Sequence, residues 1–208
     1  NAQGLVATQW EPVATGYSTS YVAPSGSSTA STYDALGRTT QVTKPDSTVT
    51  KTAYKGLRTA VIDANSHQTI QETDGLGRVK SAKSYTGTFA NPSWDAAAYV
   101  TAAYQYNPSD LLTQITVTPN GGSAVQTTMQ YDLLGRKRQM SDPDMGTWYY
   151  AYDNAGNLVR QQDARGLVLF MYYDALNRLT GKDYCTSNCP QDPPSSPTLD
   201  VQYVYDCT

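Results

Sequence analysis

Phenylalanine is nearly missing from this chain: two residues stand against 17 tyrosines in 208. A conventional core of Phe, Leu and Ile is therefore not expected. Tyr and Thr instead suit a pleated sheet with at least one wet face, where the ring is covered and the hydroxyl meets water. Histidine occurs once, as His67 within Asn65-Ser66-His67. No Ser or Cys nucleophile pairs with it by motif, so triad chemistry lacks its base. No Gly-rich loop opens a helix, which leaves a nucleotide cradle unsupported. Three cysteines, Cys185, Cys189 and Cys207, without a neighbouring histidine, argue poorly for zinc. Either Cys185 and Cys189 bridge locally, leaving Cys207 single, or all three are free thiols. No run approaches the ~18 apolar residues that span a bilayer. No sign of charge dominates: 15 basic and 18 acidic residues are scattered, for a net charge of −3. That excludes the clustered basic surface a nucleic-acid partner requires. No catalytic residue, cofactor or metal is expected. The chain starts at Asn1 without a leader and reads as a piece of a longer protein.

What the chain has in abundance is self-similarity. Tyr33-Asp34-Ala35-Leu36-Gly37-Arg38 returns as Tyr131-Asp132-Leu133-Leu134-Gly135-Arg136. It returns again as Tyr152-Asp153-Asn154-Ala155-Gly156-Asn157 and as Tyr173-Asp174-Ala175-Leu176-Asn177-Arg178. Weaker copies are Thr73-Asp74-Gly75-Leu76-Gly77-Arg78, Tyr54-Lys55-Gly56-Leu57-Arg58, which is one residue short, and Tyr106-Asn107-Pro108-Ser109-Asp110. Tyr205-Asp206 opens a further copy. Tyr33 to Tyr54, Tyr131 to Tyr152 and Tyr152 to Tyr173 are each 21 residues. Longer intervals coincide with insertions near 86–98 and 185–198.

A second turn signal lies midway in each period, for example Lys44-Pro45-Asp46-Ser47, Asp63-Ala64-Asn65-Ser66 and Asp163-Ala164-Arg165-Gly166. Each period thus holds two turns and two segments of about six residues, with Pro, Asp, Asn and Gly supplying the turn geometry. The segments alternate as strands do: Trp148, Tyr150 and Tyr152 share one face, Thr147, Tyr149 and Ala151 the other. The one helical candidate is a turn around Ser93–Ala98. The expectation is an all-β chain of repeated antiparallel β-hairpins forming a curved strip, with divergent strands or a linker over residues 1–30 and about eight repeats over 31–208.

Every part of the motif has an architectural task. The Tyr closes a strand, the Asp caps turn amides, and the Gly, or Asn177, takes the positive φ. Arg38, Arg78, Arg136 and Arg178 open the return strand and pair with an acid. Stacked repeats would set each Tyr beside the next repeat's Tyr as an aromatic ladder. The residues assigned to this structural motif are Tyr33, Asp34, Gly37, Arg38, Tyr54, Asp74, Gly77, Arg78, Tyr106, Tyr131, Asp132, Gly135, Arg136, Tyr152, Asp153, Gly156, Tyr173, Asp174, Arg178, Tyr205 and Asp206.

In these residues the chain resembles the YD-repeat (RHS-repeat) family, whose motif is a Tyr-Asp followed by Gly-Arg at about this period. The stretch from Asp142-Pro143-Asp144-Met145-Gly146 through Tyr152-Asp153 to Asp163-Ala164-Arg165-Gly166 is especially typical. The resemblance covers Ser31 to Asp206. It implies a segment of a hollow shell, secreted or at a bacterial cell surface, whose wall encloses a C-terminal effector domain. The partners it implies are the rest of that shell and the enclosed effector. Family members often end the shell in a self-cleaving Asp-Pro-x-Gly-Leu motif. Here Thr147 follows Gly146, and the site is that of an ordinary mid-repeat turn. Eight copies give about 16 strands, or roughly 75 Å of strip at ~4.8 Å per strand.

Two other readings compete with this non-catalytic wall. One is a surface adhesion or carbohydrate-binding module, whose exposed Tyr and Trp would stack on glycans. The other is a hydrolase built on a carboxylate pair. Open strand edges also predict edge-to-edge self-association.

Overall fold

The computed structural model describes residues 4–11 and 26–205. Sixteen strands follow one another in a single antiparallel sheet whose spatial order is the chain order, β1 to β16, with no crossover. They are β1 (Thr8–Trp10), β2 (Ser28–Tyr33), β3 (Thr39–Thr43), β4 (Val49–Lys55), β5 (Arg58–Ile62), β6 (Gln68–Thr73), β7 (Val79–Ser84) and β8 (Val100–Tyr106). The remainder are β9 (Leu112–Pro119), β10 (Val125–Tyr131), β11 (Lys137–Asp142), β12 (Gly146–Tyr152), β13 (Leu158–Gln162), β14 (Val168–Tyr173), β15 (Leu179–Cys185) and β16 (Val201–Gln202). The described residues contain no helix. The chain divides into two compact units, Asn1–Ala103 with Val117–Ser123, and Tyr104–Thr116 with Ala124–Thr208.

Within each unit the hairpins obey one rule. A Tyr-Asp turn joins β2 to β3, β4 to β5, β6 to β7, β10 to β11, β12 to β13 and β14 to β15. Five of these pairs carry a one-residue register shift just before the Tyr or its equivalent, at Thr32/Tyr33, Glu72/Thr73, Gln130/Tyr131, Ala151/Tyr152 and Tyr172/Tyr173. Such bulges tighten the local twist and re-aim the side chain. The β4–β5 hairpin, one residue short, closes instead through Gly56 and Leu57 with Lys55 opposite Arg58 and no shift. Gly56 at φ 60° stands at the first central position of this turn, where a two-residue hairpin loop needs glycine.

In the first unit the insertion after β7 folds back onto the sheet. Ala60, Ile70 and Tyr85 are buried, and Phe89, Trp94, Ala96 and Ala98 pack on them. Buried Gln68 donates to the Ser93 carbonyl (2.8 Å) and accepts from the Ser93 amide (2.7 Å). Arg58 donates to the Trp94 carbonyl and lies 5.2 Å from the Trp94 ring centroid. The expected helical turn at Ser93–Ala98 does not form; the segment is a series of bends. Two features account for this. Gln68 takes up the Ser93 backbone polar groups, and the residues that reach the sheet, Trp94, Ala96 and Ala98, are spaced by two rather than by three or four.

The second unit repeats the device one hundred residues on. Val168, Phe170 and Met171 are its buried core. The insertion after β15 starts with a Cys185–Cys189 disulfide, which decides between the two thiol readings. It ends with the Asp200 carboxylate accepting from the Tyr184 amide at 2.7 Å. Leu199 lies so close to Gly181 that a Cβ there would come within 2.6 Å of Leu199 Cδ1, so this position tolerates only glycine. Cys207 lies outside the described residues.

Candidate functional site

The recurring constellation is the Tyr-Asp turn, and its geometry is nearly invariant. In the β2–β3 turn the Asp34 amide donates to the Arg38 carbonyl and the Gly37 amide to the Asp34 carbonyl. One oxygen of Asp34 accepts the Leu36 and Arg38 amides, each at 2.9 Å. Its other oxygen accepts Arg38 Nε and Nη2, both at 2.7 Å. Asp74 with Arg78, Asp132 with Arg136 and Asp174 with Arg178 reproduce this pattern. Gly37, Gly77, Gly135 and Gly156 sit at φ between 79° and 92°, and Asn177 takes the same region at 59°. These are left-handed conformations that residues with a Cβ resist.

Two turns use substitutes. Asp153 holds the Asn157 amide and side-chain Nδ2 in place of a guanidinium. After Tyr106, which closes β8, Asn107 accepts the Ser109 and Leu111 amides, and Asp110 at φ 62° stands where glycine would. An amide can therefore do the capping that the carboxylate does elsewhere.

The aspartates titrate low for local reasons. Asp34 and Asp174 are held below the ordinary carboxylate range first by the amide of Arg38 or Arg178. Asp74 is held there first by the Arg78 side chain, and Asp153 by that of Asn157. At Asp132 desolvation pulls upward most strongly, but the Arg136 amide and guanidinium together outweigh it. A low, fully engaged carboxylate is a poor general acid or base.

The tyrosines tie each repeat to the one before. Tyr54 donates its hydroxyl to the Thr39 carbonyl (3.1 Å), Tyr131 to Leu112 (2.7 Å), Tyr152 to Lys137 (3.0 Å), Tyr173 to Leu158 (3.0 Å) and Tyr205 to Leu179 (2.9 Å). Each acceptor is the first residue after the preceding turn. Tyr33 does the same with Val6 at 2.7 Å. The expected Tyr-on-Tyr ladder takes a different form. What lies over these rings is the preceding guanidinium: Arg38 is 4.2 Å from the Tyr54 centroid, Arg136 is 4.7 Å from Tyr152 and Arg178 is 4.7 Å from Tyr205. A bulge between the strands offsets the tyrosines, and an Arg held flat by its Asp offers a better face than another ring. Asp206 lies outside the described residues.

The mid-repeat turns use the same cap without a tyrosine, which the motif search did not credit. Asp63 accepts the Asn65 and His67 amides, and Asp163 accepts those of Arg165 and Leu167. The legible signal is Asp-x-x-Ser or Asp-x-x-Gly at 63–66 and 163–166. His67 stands beside Asp63 with Nδ1 3.7 Å from its carboxylate, half-exposed on the turn. No cluster of three His, Cys, Asp or Glu side chains suited to a metal occurs among the described residues. In the second unit an open groove of about 770 Å³ runs between Asn107 and Gly135. Its one carboxylate, Asp132, is engaged on both oxygens by the turn.

No protein-family model matches the sequence. No curated protein matches it either. Solved structures do share the fold. A chain of the TcdB2-TccC3-Cdc42 crystal structure superposes with a TM-score of 0.62 and 20% identity, covering 78% of this chain and 9% of its own length. A chain of the Photorhabdus luminescens Tc holotoxin pore carrying the TccC3-D651A mutation gives a TM-score of 0.63 and 19% identity, over 80% of this chain and 9% of its own. The TcdB2-TccC3 crystal structure gives 0.62 and 20%, over 78% and 9%. This chain therefore spans about a tenth of the length of the toxin-complex chains whose fold it shares.

Proposed function

We propose that this chain is a wall segment of a shell that encloses a polypeptide effector, acting by exclusion rather than by catalysis. The observation that carries this reading is the repeat-to-repeat tie. Each motif Tyr bonds to the backbone of the preceding repeat while that repeat's Arg lies on rings such as Tyr54 and Tyr152. The chemistry-bearing side chains of the turns are thus engaged in holding a sheet together. A sheet extended in this manner is a surface, and the toxin-complex chains with which it shares a fold are more than ten times its span. The Cys185–Cys189 disulfide supports an oxidising, extracytoplasmic setting. The partners in this reading are the rest of the same shell and the enclosed effector.

The test is photo-crosslinking within the full-length polypeptide. Gln139 and Met140 are successive residues of β11 and point to opposite faces. A crosslinker at one of the two positions is expected to capture a segment outside the repeat strip, and at the other to capture nothing of it. Capture from neither position would defeat enclosure.

A further inference from the structure

The third residue after the motif Tyr, at the tip of each turn, is left without a task by the turn itself. It holds Leu36 and Leu76, which are 77% and 74% exposed, and the short β4–β5 turn presents Leu57, 56% exposed. In the other unit the same position holds Leu134 and Leu176, 76% and 72% exposed. Single exposed leucines are ordinary, but one recurring at a fixed structural position is not. The fold does not require it: Ser109 and Ala155 fill the same position in turns of the same hydrogen-bonding pattern. In the first unit the three leucines come from consecutive hairpins, β2–β3, β4–β5 and β6–β7, so they line one edge of the sheet two strands apart. At ~4.8 Å per strand their spacing is about 10 Å.

We infer that the Leu36–Leu57–Leu76 edge is a self-complementary interface that seats the same edge of a second copy of this chain. Two observations select that occupant. The first is period: a partner must present apolar knobs or gaps every ~10 Å, the spacing that a Tyr-Asp strip itself provides. The second is charge. Asp34 is paired with Arg38 and Asp74 with Arg78 within their own turns, so like edges approach without net repulsion. The contact is isologous, with leucines of one edge entering between those of the other. Its area is well below a standard protein interface, so association is weak and rises with concentration. The inference does not depend on the shell reading.

Sedimentation equilibrium of the chain, with and without L36S, L57S and L76S together, tests it. The unaltered chain is expected to dimerise as concentration rises and the triple variant to remain monomeric, with the same far-ultraviolet circular dichroism. In a separate variant, Leu57→Cys, oxidation is expected to yield a dimer linked through position 57. A chain that stays monomeric at every concentration overturns the proposal. So does a triple variant that associates as strongly as its parent, since the contact would then run through the open strands β1 or β16. Linkage of Leu57→Cys to Cys207 alone also counts against it.

Discussion

Removing a single phenolic oxygen tests how the repeats are joined. Tyr152 donates to the Lys137 carbonyl at 3.0 Å and lies under Arg136 at 4.7 Å. Tyr152→Phe deletes the hydrogen bond and keeps the ring, so the expected loss is about 1 kcal/mol. Tyr152→Leu also removes the guanidinium contact, a further ~0.5–1 kcal/mol, and part of the ring's buried area. For a chain of this length about 1 kcal/mol lowers the melting temperature by roughly 2–4 °C. The two variants should therefore melt in the order Phe above Leu, both below the parent, in thermal denaturation followed by circular dichroism. Tyr149, 44% exposed on the opposite face of β12, is the control: Tyr149→Phe should leave the midpoint unchanged. Because neighbour contacts carry most of the stability of a repeat array, amide exchange should accelerate in β11 and β12 before it does in more distant strands. If Tyr152→Phe and Tyr149→Phe behave alike, and Tyr152→Leu adds nothing, the inter-repeat tie has been misjudged.

Three other outcomes follow. Gly77→Ala should destabilise by about 1–2 kcal/mol, measured by urea denaturation; at φ 83° with open space around the added Cβ, backbone conformation is the whole cost. Folding lowers the carboxyl pKa values of Asp34, Asp74, Asp132, Asp153 and Asp174, so their stabilisation is complete above the unfolded value of about 3.9 and is lost as pH falls through the lower folded values. A pH series of melts should show that decline, and Asp74→Asn should make it shallower while keeping the turn, as Asn107 does in its own; an unchanged slope would contradict the assignment. Gln68→Ala should free the insertion at 86–98, at a cost of about 1–3 kcal/mol for two lost bonds, and limited proteolysis should then cut between Thr86 and Ala98 in the variant but not in the parent.

The fold was legible because a few residue types mark its period. Gly37, Gly77 and Gly135 need positive φ, and an Asp three residues earlier caps the same turn, so geometry forces those letters to recur wherever the turn recurs. The strands between them were readable from alternation, as in Trp148, Tyr150 and Tyr152. Much of the site was not readable in that manner. A Tyr in the motif announces a ring near a neighbouring repeat, but whether a Tyr or an Arg covers it depends on the bulge at Ala151/Tyr152, which leaves no letter of its own. The segment Ser93–Ala98 has helix-forming alanines, and only its docking against Gln68 and Ile70, twenty-odd residues earlier in the chain, makes it extended. Asp63 and Asp163 escaped notice because no Tyr precedes them, although the turn chemistry is the same. Cys185 and Cys189 left bridged and free thiols equally open until the backbone brought their Cα atoms to 5.7 Å.

Deleting one whole period tests most directly whether 21 residues form the building unit. Removal of residues 132–152 joins Tyr131 to Asp153 and rebuilds an unbroken Tyr-Asp-Asn-Ala-Gly-Asn turn with every later hydroxyl still facing the strand before it. That variant is predicted to fold, with circular dichroism per residue like the parent's and a cooperative melt. Removal of residues 143–152, about half a period, sends the later Tyr-Asp turns to the opposite edge and is predicted to lose the cooperative transition. A chain that unfolds after the full-period deletion, or that tolerates the half-period deletion equally well, would contradict the account.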